Sequence, residues 1–233
     1  MSISTPQEAI ERLNEVCLWL GDVIKATKPV EAVPVLPKAP VGLQRPARFY
    51  DYIRGDEGEL FPVMRETQML GIEAILAAAA GKLPLSWCAY VLGSVYHETG
   101  KRMIGVKEGF DVSDAWRKKN LRYYPWYGRG PIQITWEENY KKATKRLNEL
   151  GYNVDLIANP DKALELEVGA AIAVIGCLEG WFTGKKLRDY LPAQPDRENY
   201  RNARRIVNLM DKADLIAGYA IEFEKGLKAG DWQ

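Results

Sequence analysis

Glu98 and Glu108, ten residues apart, are the pair of side chains best placed to do chemistry. Hydrolysing a glycosidic bond takes one carboxyl that stays protonated and a second that stays ionised. The two glutamates sit in sequence contexts that differ in the required sense. Glu98 follows Trp87, Ala89, Tyr90, Val91, Leu92 and Val95, so it falls in the last turn of an apolar helix. Burial and the negative end of the helix dipole both disfavour its ionised form, which suits a proton donor. Glu108 stands in IGVKEGF, between Lys107 and Gly109, a context that predicts an exposed, mobile loop and a carboxylate able to act as base. A glutamate at the end of a helix can also simply reach water, and one in a glycine-flanked loop is ordinarily just solvated.

The segment YYPWYGRGPIQITW holds what sugar binding uses. Tyr123, Tyr124, Trp126 and Tyr127 offer flat faces for pyranose rings, although such residues more often build a core. Gly128 and Gly130 permit close backbone approach. Arg129 between them either orients a carboxylate or pins the loop. Gln133, Thr135 and Asn139 are uncharged hydrogen-bonding groups spaced to face one groove. No phosphate-loop lysine pattern accompanies GRG, so a nucleotide site is not indicated.

These groups need elements to carry them. Pro62 and Gly81 bracket a helix rich in alanine and leucine, and Pro84 opens the next, which stops at Gly100. IQIT is the best candidate for a short strand. Further helices are predicted at roughly 136–150, 162–182, 197–208 and 212–228. Strands and helices do not alternate, so a parallel α/β sheet is not expected. Upstream, Thr5-Pro6-Gln7-Glu8 forms a capping box, and Ile10, Leu13, Cys17, Leu20 and Ile24 follow at helical spacing. This predicts an amphipathic helix within 1–27, which either docks on the main domain or serves self-association or a partner. Five prolines between 29 and 46 mark 28–46 as a semi-rigid linker, leaving 47–233 as the main domain.

Bulk composition narrows the function classes. The formal net charge of the 233 residues is +1, so no overall field argues for nucleic acid or an acidic membrane. Residues 117–146 are locally basic, with nine Lys or Arg against Glu137 and Glu138. That is either a solvated face or a weak attraction to an anionic polymer. His97 is the only histidine, which leaves no multi-imidazole metal site, and no cofactor or metal is expected. Cys17, Cys88 and Cys177 are scattered and odd in number, as in a chain folded in a reducing cytoplasm. No signal peptide or membrane-spanning run is visible.

Three stretches resemble glycoside hydrolase family 19, the chitinases and their bacteriophage endolysin relatives. AYVLGSVYHETG is similar to the family's helix ending in His-Glu-Thr, YYPWYGRGPIQITWEENY to its YYGRGPIQ segment, and ARRIVN to a late sugar-contacting segment. The resemblance runs from about residue 49 to the C-terminus, and its YGRGPIQ segment is highly specific. It implies a mainly α, bilobal lysozyme-like fold with a substrate groove and at most a small β element. It also implies an inverting mechanism, with Glu98 as general acid, Glu108 as base and Thr135 helping to hold the attacking water. His97, Tyr127, Arg129, Gln133, Asn139 and Asn208 fall on or beside substrate-binding positions. An inverting pair stands about 6.5–9.5 Å apart to admit that water.

The missing secretion signal, the lack of a cysteine framework and the basic DVSDAWRKKNLR loop resemble the phage branch, whose substrate is peptidoglycan. The expectation is therefore an endolysin made in the host bacterial cytoplasm, acting on the wall after release through a separate membrane lesion. A chitinase acting on chitin is the first alternative, and a non-catalytic wall-binding virion protein the second. A Cys88–His97 peptidase is disfavoured, because nine helical residues place the two side chains about half a turn apart.

Overall fold

The computed structural model describes residues 42–55 and 60–233. The predicted N-terminal helix and most of the proline-rich linker lie outside the described residues. Within them the chain is mainly α-helical, with a single two-stranded sheet among the described residues. The helices are α1 (Pro46–Arg54), α2 (Glu66–Ala79), α3 (Leu85–Glu98), α4 (Asp114–Asn120), α5 (Glu137–Glu149), α6 (Leu166–Glu179), α7 (Arg197–Ala203) and α8 (Ala213–Ala229). The strands are β1 (Val106–Lys107) and β2 (Arg129–Gly130), and short 3-10 turns cover Pro160–Leu164, Leu187–Asp189 and Arg204–Ile206.

Two helices are apolar on every side and form the centre. Ten residues of α3 and ten of α6 are buried, the pattern of helices enclosed by others rather than lying on a surface. The third long helix, α8, is amphipathic. Its Ile216, Ala217, Ala220, Phe223 and Leu227 recur at helical spacing and pack along α3, α7 and α1. The α2 helix covers α6, and α5 covers its other flank. The apolar core is continuous across all of them.

Helix ends follow local chemistry. Pro46 occupies the first turn of α1, and Ser113 and Asp196 cap α4 and α7 by accepting from the backbone N–H of Trp116 and Asn199. Gly180 ends α6 in the left-handed conformation. Of the residues assigned to the linker, Leu43 is buried in an isolated bridge with Trp232, and Pro46 already belongs to α1. IQIT is not a strand. Gln133 has φ +58°, which breaks the extended run, and only Ile134 forms a bridge, to Arg129. The sheet instead pairs β1 with β2 antiparallel, Val106 opposite Gly130 and Lys107 opposite Arg129.

Candidate active site

A cleft of about 400 Å³ opens between two walls. One is helical and carries Glu98, Phe182, Val207 and Asn208; the other comes from the sheet and the chain around it, with Glu108, Tyr123, Gly128, Ile132, Gln133, Thr135, Trp136 and Asn139. Both candidate carboxylates line this space.

Glu98 is the final residue of α3, and its side chain is 18% exposed. Just beyond it, Thr99 is wholly buried; its hydroxyl donates to the carbonyl of Val95 and accepts from the N–H of Met103. The chain then turns sharply through Gly100, Lys101 and Met103, all at positive φ. That reversal sends the backbone across to β1 and brings Glu108 to face Glu98's wall. One oxygen of Glu98 accepts a 2.5 Å bond from Nη1 of Arg204. Arg204 is 2% exposed, and its Nε donates to the carbonyl of Asp211. This buried guanidinium, absent from the sequence reading, sets a positive charge against the carboxylate and fixes its orientation. Oε2 of Glu98 makes no hydrogen bond to any described residue.

Glu108 departs from its predicted setting. Instead of an exposed, mobile loop it is half-buried at the end of β1, with both oxygens engaged. The phenol of Tyr123 donates to Oε1 at 2.5 Å, and the N–H of Gly128 donates to Oε2 at 2.9 Å. Its backbone is held as well: its N–H donates to the carbonyl of Gly128, and its carbonyl accepts from Nε of buried Arg117. Together the two donors fix the orientation of the carboxylate. A side chain at Gly128 would break this arrangement, because a Cβ there would stand 2.8 Å from Oε1 of Gln133 and 3.3 Å from Oε2 of Glu108.

Around the two carboxylates, Gln133, Thr135, Asn139 and Asn208 line the cleft, the first three named from their spacing and Asn208 from the family resemblance. Nε2 of Gln133 donates to the carbonyls of Val106 and Gly130, so this amide braces the sheet from inside the groove. Thr135 donates to the carbonyl of Gln133, and Asn139 to that of Thr135. Asn208 follows the 3-10 turn that presents Arg204, and its side-chain oxygen accepts from the N–H of Leu209.

Three predicted substrate-binding residues stand elsewhere. Tyr127 and Arg129 are buried behind the sheet wall, which prevents direct contact with a polymer in the cleft. Arg129 is spent on Asp161, on the carbonyls of Pro125 and Tyr127 and on the hydroxyl of Tyr140, with its guanidinium 3.6 Å from the centre of the Tyr127 ring. Of its two readings, the structure matches the one in which it pins the loop. His97 is not among the residues that line the cleft, and its ring stands 6.5 Å from that of Tyr219. Burial lowers its pKa, as do the charges of Arg204 and Lys212, against the opposing pull of Glu98 and Asp211. Cys88 is fully buried, and burial pushes its thiol far up, which removes the Cys–His reading.

Sequence reasoning missed Arg204, Tyr123 as a partner of Glu108, and the clamp formed by Asp161. The last of these accepts from Lys107 on β1 at 2.6 Å and from Arg129 on β2 at 2.7 Å, tying together the strands that carry Glu108 and Gly128. ARRIVN did contain a clue, an arginine directly after buried Ala203, but nothing distinguished Arg204 from exposed Arg205.

No protein-family model matches the chain, and comparison with curated proteins gives no match. Among solved structures the chain is similar to a mutant of chitinase C. The identity is 20%, the match covers 84% of this chain and 96% of that one, and the TM-score is 0.50. Chitinase C from Streptomyces griseus HUT6037 is also 20% identical, over 82% of this chain and 78% of that one, with a TM-score of 0.47. The chain thus has a chitinase-like helical fold.

Proposed function

We propose that the protein is a glycoside hydrolase that cuts β-1,4 bonds in a polymer of N-acetylhexosamines, and that its substrate is bacterial peptidoglycan. The observation that carries this reading is the meeting of Glu98 and Glu108 in one cleft with different hydrogen-bond settings. Glu98 ends an apolar helix, is held by Arg204 through one oxygen and leaves the other without a hydrogen-bond partner among the described residues, so it is assigned as the proton donor to the leaving oxygen. Glu108 accepts two hydrogen bonds that fix its orientation, and each oxygen retains a lone pair for water, so it is the base. Thr135 and Asn139 flank the space where that water would sit, and attack from the far face inverts the anomeric centre. The resemblance of YGRGPIQ to family 19 supports the same roles, and the exposed Lys118, Lys119 and Arg122 together with the resemblance to the phage branch support peptidoglycan over chitin.

The test is to incubate the full chain with purified sacculi and with chitin and to identify new reducing ends by mass spectrometry. Muropeptides with little product from chitin are expected, and Glu98→Gln should abolish them. Chito-oligomers alone would make the protein a chitinase. Products from neither polymer would make it a non-catalytic wall-binding protein.

A further inference from the structure

Most cations close to the site are spent on the protein itself. Arg117 and Arg129 hold backbone carbonyls, and Arg204 holds Glu98. Arg122 differs. It is exposed, no described carboxylate pairs with it, and its guanidinium stands 5.3 Å from the centre of the Trp136 ring. Trp136 lines the cleft and is 46% exposed, although tryptophan is a costly residue to leave in water. Its backbone is at φ +75°, a conformation a bulky side chain rarely adopts, fixed by its N–H donating to the carbonyl of Trp126. The fold therefore holds a large aromatic half in solvent, inside the cleft, with an uncommitted cation against it. Tyr123, ring centre 4.8 Å from that of Trp136, links the pair to Glu108. Lys118 and Lys119, exposed in the last turn of α4, add to the positive potential on this side.

We infer that Arg122 and Trp136 form a carboxylate-reading subsite of the cleft, in which a sugar ring rests against the exposed indole and an acidic substituent of that sugar meets the guanidinium. This rests on the glycosidase reading and adds what selects the polymer. Chitin carries no carboxylate. A muramyl residue carries one on its lactyl group, or on the stem peptide once that group is amidated.

The inference is tested by calorimetry on the Glu98→Gln protein, so that ligands are bound but not cut. Three probes are compared: chitotetraose, the peptide-free GlcNAc–MurNAc tetrasaccharide, and the same tetrasaccharide with stem peptides. At least one acidic glycan should bind more tightly than chitotetraose, and which one does so tells lactyl from peptide carboxylate. Adding Arg122→Gln should reduce that preference roughly tenfold, the scale of a lost charge-assisted hydrogen bond, and Arg122→Lys should restore part of it. Added salt should erode the preference in the parent. A preference that Arg122→Gln leaves intact, or chitotetraose binding best, overturns the subsite while the glycosidase reading stands. Binding of none of the three overturns both.

Discussion

The phenol of Tyr123 donates a 2.5 Å hydrogen bond to one oxygen of Glu108, while the N–H of Gly128 holds the other. Tyr123 remains a donor across the physiological range, because burial first and then Glu108 itself push its pKa up to about 12. Tyr123→Phe removes one charge-assisted hydrogen bond of about 1.5–3 kcal/mol and leaves the ring against Trp136. Hydrolysis should slow by roughly ten- to a hundredfold, and stability should fall by no more than the lost hydrogen bond. A rate unchanged from the parent's would show that Tyr123 only packs.

Arg204 and Glu98 make a more demanding pair, since the guanidinium is 2% exposed and the carboxylate 18%. Removing one member of a buried pair costs about 3–5 kcal/mol, because the other charge is left unpaired. Arg204→Met should therefore destabilise the fold by that order and stop hydrolysis. Combining it with Glu98→Gln should recover part of the stability and none of the activity. Urea unfolding of the two single variants and the double variant reads the coupling, and strictly additive losses would mean the contact is not energetically linked.

Glycine supplies a paired prediction about the scaffold. A Cβ at Gly93 in α3 would lie 2.8 Å from the backbone nitrogen of Ala220 in α8, with no flexible side chain to yield. Gly93→Ala should cost about 1–3 kcal/mol from overpacking, despite the better helix propensity of alanine. Gly218 in α8 has open space at the same position, so Gly218→Ala should stabilise by about 0.5–1 kcal/mol. Thermal melts of opposite sign check both at once.

How far the sequence could be read depended on whether a feature was local. The apolar run up to Glu98, its stop at Gly100 and the amphipathic α8 follow from spacing and punctuation alone, and all are present. The polar groups Gln133, Thr135 and Asn139 reached the cleft because they share one short, tightly turned segment. What was not legible depends on distant partners. Glu108 looked solvated because its donors, Tyr123 and Gly128, lie 15 and 20 residues away. Arg204 meets Glu98 across 106 residues, and no periodicity marks that contact. IQIT looked like a strand because its residues favour extension. The positive φ of Gln133, held by its own amide on two strand carbonyls, overrode that preference.

Asp161 ties the stability of the sheet to acid. Burial would raise its pKa, but the hydrogen bonds and charges of Lys107 and Arg129 outweigh it, and the folded value is lowered. A lowered carboxyl contributes stability that is present above the unfolded value of about 3.9 and lost as pH falls through the folded one. Asp161 is 47% exposed, so solvent screening holds the contribution to about 1 kcal/mol or less. Asp161→Asn should flatten the loss of stability below about pH 4, and it should slow hydrolysis by loosening the strands that carry Glu108. Unchanged acid denaturation would mean that solvent already replaces the clamp.

His97 acts in a different pH window, so the two effects can be separated. Its folded pKa lies below the ordinary value of about 6.5, chiefly through burial. Between the folded and unfolded values the unfolded chain binds the extra proton, so stability falls as pH drops through about 6.5 and levels off once the folded pKa is passed. That loss sets in at higher pH than the one from Asp161. His97→Gln keeps the polar, hydrogen-bonding character of the side chain but cannot titrate, so its stability should be flat across this window while the parent's declines. Because the chain has a single histidine, one imidazole resonance followed by proton NMR gives the folded value without ambiguity. His97 also lies outside the cleft lining, so His97→Gln should change the rate of hydrolysis far less than any substitution at Glu98. A titration at or above 6.5 would overturn this pH dependence, and a rate loss matching that of Glu98→Gln would place His97 in contact with the substrate.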